Sequence, residues 1–227
     1  MIITPRDADL VRELALSHVM SRDQILALGM FASITRVNTR LRVLRELGIV
    51  RRTPTPYFNG SLYVPGVNAA EVLTDRTARL IATRQPSPRF LRHALSVTNI
   101  RIALSYKGAT EWRHEPMLWR TFEVAGKTME VRPDGMAITP KGPVLIECDL
   151  GHVSQSKIAS KLASYHEFQR SGHTQKLYGF DNFNLLIVTT GKLRATRLRE
   201  LAPGGLSYGL RVQTFEDLGV SMVGGWS

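Results

Sequence analysis

The chain has 227 residues, a formal net charge of +11 and 43% hydrophobic residues. That composition excludes a disordered polybasic tail, and no apolar run approaches the roughly 20 residues a membrane helix needs. The single cysteine, Cys148, excludes an intramolecular disulfide and a multi-cysteine zinc site within one chain. The opening Met-Ile-Ile-Thr-Pro-Arg-Asp lacks the charged-then-apolar order of a secretory signal. A folded basic protein in a cytoplasmic setting is expected, with nucleic acid as its leading partner and no membrane.

Thr4-Pro5 followed by Arg6-Asp7-Ala8-Asp9 predicts a helix start, since Thr caps, Pro suits the first turn and acids favour the positive end. Leu10, Val11, Leu14 and Leu16 supply its apolar positions. Ser21 and Gln24 have the spacing of a capping box for a second helix, carried by Ile25, Leu26 and Leu28 and ended at Gly29. A third helix runs from Ser33 to Gly48. Its buried stripe is Val37, Leu41, Leu44 and Leu47. The opposite face carries Thr35, Asn38, Thr39, Arg42 and Glu46, flanked by Arg36 and Arg45. Short polar residues plus arginine are what base and phosphate contact needs, although alone they also describe an ordinary solvated face.

The residues after Gly48 give that face its meaning. Ile49-Val50-Arg51-Arg52 and Leu62-Tyr63-Val64 read as two strands, joined by a polar loop ending in the turn signal Asn59-Gly60. Three short helices and then a basic hairpin is winged helix-turn-helix order over residues 1–67. Its third helix would enter a major groove of double-stranded DNA, and its hairpin would lie along the backbone or minor groove. The expected DNA contacts are Thr35, Arg36, Asn38, Thr39, Arg42, Arg45, Arg51 and Arg52.

Asn68 to Arg84 reads as a helix and Gln85-Pro86-Ser87-Pro88 as a break, making residues 68–88 a linker. A further helix spans Arg89 to Tyr106, with His93 near its start as a surface or packing residue. Strands then come at Trp119–Val124, Met129–Thr139 and Val144–Asp149. Glu147 and Asp149 share a face because side chains alternate along a strand, and Asp134 comes from the strand before. If those strands pair, three carboxylates converge. Such a cluster repels itself unless protons or a cation neutralise it, and hard oxygen ligands suit Mg²⁺ or Mn²⁺. That ion would polarise a phosphodiester and activate water.

The helix from Ser154 to Arg170 buries Ile158, Leu162 and Tyr165 and holds Lys157 and Lys161 at the edge of that stripe, within reach of carboxylates or phosphate. A strand at Phe183–Thr190, a basic helix at Lys192–Leu201 and a short strand at Leu210–Phe215 complete the chain. Cys148 alternates away from the acids and is expected to pack in the core. His152, His166 and His173 are too scattered for a relaxase-like metal cluster, and Tyr165 is read as packing.

Helix, three strands, helix, strand is the order of the PD-(D/E)xK nuclease core, an αβββαβ arrangement in residues 89–227 of a mixed α+β or α/β chain. Arg132-Pro133-Asp134-Gly135 looks like the PD half, and Glu147-Cys148-Asp149 stands in the place of (D/E)xK. Together with Glu147-Cys148-Asp149-Leu150-Gly151 and Lys161-Leu162-Ala163-Ser164-Tyr165, the chain resembles the replication-relaxation family of plasmids and mobile elements. The resemblance implies a role in plasmid or phage DNA replication, relaxation or mobilisation, beside replication or mobilisation proteins. One departure matters. The motif's lysine is replaced by Asp149, so the ammonium must come from Lys161 or Lys157, or else Asp149 is a third metal ligand or a structural acid paired with an arginine. The expected catalytic set is Asp134, Glu147, Asp149, Lys161 and Lys157, the first three also holding the metal. The alternatives are a non-catalytic DNA-binding regulator or replication accessory factor, and a protein-interaction module. A homodimer is expected only by analogy with other DNA readers.

Overall fold

The computed structural model describes residues 2–56, 58–73, 76–80, 87–202, 206 and 208–220. It is a mixed α+β protein with both antiparallel and parallel strand pairs. The chain divides into two compact units, the first running to Ile102 and the second spanning Ala103–Val220. No helix among the described residues is long and apolar enough to cross a membrane.

The first unit begins with α1 (Pro5–Ser17), the two-residue strand β1 (Met20–Ser21), α2 (Arg22–Ala27) and α3 (Ile34–Glu46). Strands β2 (Val50–Thr53) and β3 (Leu62–Pro65) come next as an antiparallel pair, with β1 on the other edge of β3. Both capping signals hold: the Thr4 N–H and hydroxyl each donate to Asp7 at 2.6 Å, and Gln24 N–H donates to Ser21 Oγ at 3.1 Å. Leu10, Val11 and Leu14 pack with Ile25, Val37, Leu41 and Leu44. Each such side chain contributes about 1.5–3 kcal/mol of burial. Arg40, on α3, turns back to α1 and donates Nε–H to Asp7 Oδ1 at 2.5 Å, so it staples the bundle rather than facing solvent.

The segment expected as one helix from Asn68 to Arg84 is instead two short 3-10 turns, Ala69–Glu71 and Arg76–Leu80. Ile81 and Arg84, with Gln85 and Pro86 of the expected break, lie outside the described residues. Pro88 opens α4 (Pro88–Tyr106), whose first turn is capped by Ser87 Oγ accepting from Phe90 N–H at 3.2 Å. The division between units falls inside α4 at Ile102 and not over residues 68–88. The reason is packing: Leu91, Ala94 and Leu95 cover Val19, Leu62 and Val64 of the first unit. Gln24 adds a polar clamp, its amide donating to Leu95 O at 2.9 Å and Asn99 Oδ1 at 2.7 Å. Gln24→Ala removes two buried hydrogen bonds and should lower stability by about 2 kcal/mol in a urea melt. A change under about 0.5 kcal/mol would show that water replaces the amide.

The second unit holds β4 (Glu111–His114), α5 (Glu115–Leu118), β5 (Arg120–Val124), β6 (Lys127–Val131), β7 (Gly135–Thr139) and β8 (Gly142–Asp149). After them come α6 (Gln155–Arg170), α7 (His173–Tyr178), β9 (Asn184–Thr189), α8 (Lys192–Glu200), β10 (Gly209–Thr214) and α9 (Phe215–Leu218). The main sheet has the order β10-β9-β8-β7-β4. β4, β7 and β8 pair antiparallel, and β8, β9 and β10 pair parallel. Crossovers through α6–α7 and α8 join the parallel strands, as parallel pairing requires. One sheet face, with Leu145, Leu185, Ile187 and Val212, packs on Ile158, Leu162, Tyr165, Ala195 and Leu198.

The expected strand Met129–Thr139 is two strands in different sheets. β6 forms a separate hairpin with β5, while β7 joins the main sheet. Pro133 lies between them and has no N–H to continue a ladder. Strand β4 was not expected. Trp112 on it lies over Gly135, where an added Cβ would sit 2.2 Å from the indole ring. Gly135 is therefore required by a close approach and not by a turn.

Candidate functional site

Two regions carry chemistry, one in each unit. In the first, Thr35, Arg36, Asn38, Thr39, Arg42 and Arg45 are all exposed, and Val37, Leu41 and Leu44 are buried. The helical period thus splits α3 into a core stripe and a continuous polar, cationic face. Adjacent residues of a strand point to opposite sides, so Arg51 and Arg52 part company. Arg52, paired in register with Tyr63, opens onto a cavity of about 300 Å³ that Asn38, Arg22, Asn59 and Tyr63 also line. Arg51 does not line it. Arg22 was not among the expected contacts. Its place in the capping segment gave no sign that it would face Arg52 and Asn38 across a cavity.

In the second unit the acids converge by strand register. Pairing of Gly135 with Ile146 sets Asp134 beside Glu147, and Asp134 N–H extends the ladder to Ile146 O at 2.9 Å. The Asp134 carboxylate accepts the Cys148 backbone N–H at 2.7 Å. Glu147 is buried. Its Oε2 takes the Lys161 ammonium and its Oε1 the Tyr165 hydroxyl, both from α6. Tyr165 therefore packs and donates at once. Lys157, one turn earlier, is exposed and has no salt bridge among the described residues. Cys148 is buried on the alternate face, as expected.

Asp149 has different company. Thr189 Oγ1 donates to its Oδ2 at 2.7 Å, and Gly151 N–H to its Oδ1 at 3.2 Å. Arg194 of α8 reaches both oxygens, Nε at 2.9 Å and Nη2 at 3.2 Å. Burial alone would raise the Asp149 carboxyl, but these donors outweigh it and hold it below its usual range. Of the readings open for Asp149, the geometry is that of a structural acid paired with an arginine. Among the described residues no three His, Cys, Asp or Glu side chains gather as a metal-holding group, His152, His166 and His173 included. The residues therefore do not fit the three-carboxylate Mg²⁺ or Mn²⁺ site expected of Asp134, Glu147 and Asp149. One of the three is fully engaged by donors, and another is held by an ammonium and a phenol.

Glu147 is the titrating group of the cluster. Burial pushes it up to about 7; Lys161 pulls it back and the Asp134 charge pushes it further. The unfolded chain holds this group near about 4.3. The folded state thus binds the extra proton in between, and stability falls as pH rises from about 4.5 through about 7. Asp149, shifted the other way, loses its contribution only as pH falls below the usual carboxylate range. Thermal melts between about pH 5 and 8 should therefore slope downward, and Glu147→Gln should flatten them. An unchanged slope in that variant would assign the titration elsewhere.

The replication-relaxation family model matches residues 11–182. No curated protein matches the chain. Among solved structures, protein VC1899 from Vibrio cholerae is similar over 96% of this chain and 55% of its own, at 13% identity and a TM-score of 0.38. The chain thus spans about half the length of that protein.

Proposed function

Since the chain belongs to the replication-relaxation family, we propose that it is a double-stranded DNA-binding protein serving the replication or mobilisation of a plasmid, phage or other mobile element, and that it does not itself cut the duplex. The observation that carries the reading is the α3 face, six exposed polar or cationic side chains on one side of a helix whose other side is core. In this reading the first unit is a winged helix-turn-helix. Arg36, Asn38 and Arg42 meet base edges and phosphates in the major groove. Arg52 of the hairpin and Arg22 across the cavity take backbone phosphate. The net charge of +11 draws the polyanion in. A two-fold site would seat two copies, as such readers commonly do.

In this reading the second unit is a PD-(D/E)xK-like core, and Asp134 and Glu147 take the motif's acidic positions. One observation favours a cleaving alternative: Lys161 supplies from α6 the ammonium that the motif would place at residue 149. The pairing of Asp149 with Arg194 weighs against it, and the accessory reading is preferred.

Both readings are tested with one preparation. Anisotropy of a labelled duplex over a salt series should show log affinity falling steeply with log salt, by nearly one for each phosphate neutralised. Supercoiled plasmid should stay intact in Mg²⁺ and in Mn²⁺. Absent or salt-independent binding would remove the DNA-binding reading. Nicking that Asp134→Ala and Glu147→Ala both abolish would establish the cleaving alternative.

A further inference from the structure

We propose that the Arg194 guanidinium occupies the cation position beside Asp149 and thereby closes the carboxylate cluster of the second unit to divalent metal. The inference rests on reading that unit as nuclease-like, and it is independent of DNA binding by the first.

An ionised carboxylate offers about four acceptor positions. At Asp149 four donors fill them: Thr189 Oγ1 and Arg194 Nε on Oδ2, Gly151 N–H and Arg194 Nη2 on Oδ1. The guanidinium is itself pinned, since Nη2 also donates to Val153 O at 2.7 Å. An arginine so placed cannot leave by losing its proton, and its planar fork matches the carboxylate edge as a spherical ion does not. At Glu147 the ammonium of Lys161 and the hydroxyl of Tyr165 take one oxygen each.

The charge balance agrees. Asp134, Glu147 and Asp149 face Lys161 and Arg194, so two side-chain cations already offset two of the three acids, and Arg194 is the one that the motif does not call for. Asp149 and Arg194 belong together. An acid at the place of the motif's lysine needs a new counter-charge, and α8 delivers it from 45 residues downstream. Mg²⁺ and Mn²⁺ would have to displace a bidentate, partly buried ion pair to reach Asp149, and an ammonium to reach Glu147.

The test is Mn²⁺ titration of the full chain, monitored by the electron paramagnetic resonance of the free ion. The wild-type chain and Arg194→Lys, which keeps the charge, should leave the signal undiminished. Arg194→Gln should acquire uptake of one Mn²⁺ per chain, abolished again when Glu147→Gln is added. Wild-type uptake that Glu147→Gln abolishes would overturn the proposal. So would an Arg194→Gln chain that is folded by circular dichroism yet takes up none. Should Arg194→Gln fail to fold, the wild-type titration decides alone. Duplex binding measured on the same samples keeps the outcomes apart: a wild-type chain that binds neither DNA nor Mn²⁺ refutes the proposed function and leaves the metal inference standing.

Discussion

Replacing Arg36 and Arg42 together by alanine should lower duplex affinity roughly a hundredfold at moderate salt while leaving the melting temperature unchanged. Each arginine that meets a base edge or phosphate contributes about 1–3 kcal/mol, and the salt slope falls by about one for each phosphate left without its cation. Both side chains are exposed, Arg42 opposite the buried Val37, Leu41 and Leu44 and Arg36 on the flank of that face, so their removal opens no cavity in the core. Two neighbours sharpen the experiment. Arg40 is on the same helix but is bound to the buried Asp7, so Arg40→Ala should cost stability before affinity. Arg52 lines the cavity with Asn38 and Arg51 does not, so Arg52→Ala should weaken binding more than Arg51→Ala. Equal affinity of the double variant and the parent chain would remove α3 as the reader.

The α3 face was legible because it depends on one period and one helix. Apolar residues at helical spacing define the buried stripe, and whatever lies opposite is exposed. The capping residues Thr4 and Ser21 were legible for the same reason, since their partners lie three residues away. Local rules fail where the partner is distant. Gln24 completes its capping box with its amide oxygen, but nothing in the sequence signals that its amide nitrogen donates to Leu95 and Asn99, 71 and 75 residues on. That pair of hydrogen bonds helps to draw α4 onto the first unit and so moves the division of the chain. Met129–Thr139 reads as one strand although Arg132-Pro133-Asp134-Gly135 interrupts its apolar pattern. Only the pairing of β6 with β5 and of β7 with β8 shows that two sheets compete for it.

The carboxylates divide along the same line. Register made Asp134 and Glu147 neighbours, and alternation put Asp149 on the face of Glu147, all of which a hairpin predicts. Alternation says nothing of which helix covers each position. α6 covers Glu147 and brings Lys161, whereas α8 reaches Asp149 and brings Arg194. Two residues on one strand face therefore end in different electrostatic surroundings. Burial raises one, and an arginine and a threonine lower the other.

That separation gives the second large effect. Arg194→Met should cost about 3–5 kcal/mol in a urea melt, because it leaves the Asp149 carboxylate buried without its counter-charge. The Asp149 side chain is 5% exposed and that of Arg194 19%, so water cannot replace the guanidinium cheaply. Removing both charges should be milder. The double variant Asp149→Asn with Arg194→Met should be more stable than Arg194→Met alone, since no unpaired charge remains and Thr189 still has an acceptor. The cycle therefore separates the penalty of an orphaned charge from the net value of the pair. If the double variant is instead less stable than the single by the full cost of Asp149→Asn, the two residues act independently. Asp149 would then be held by Thr189 and Gly151, with Arg194 contributing only as a surface cation.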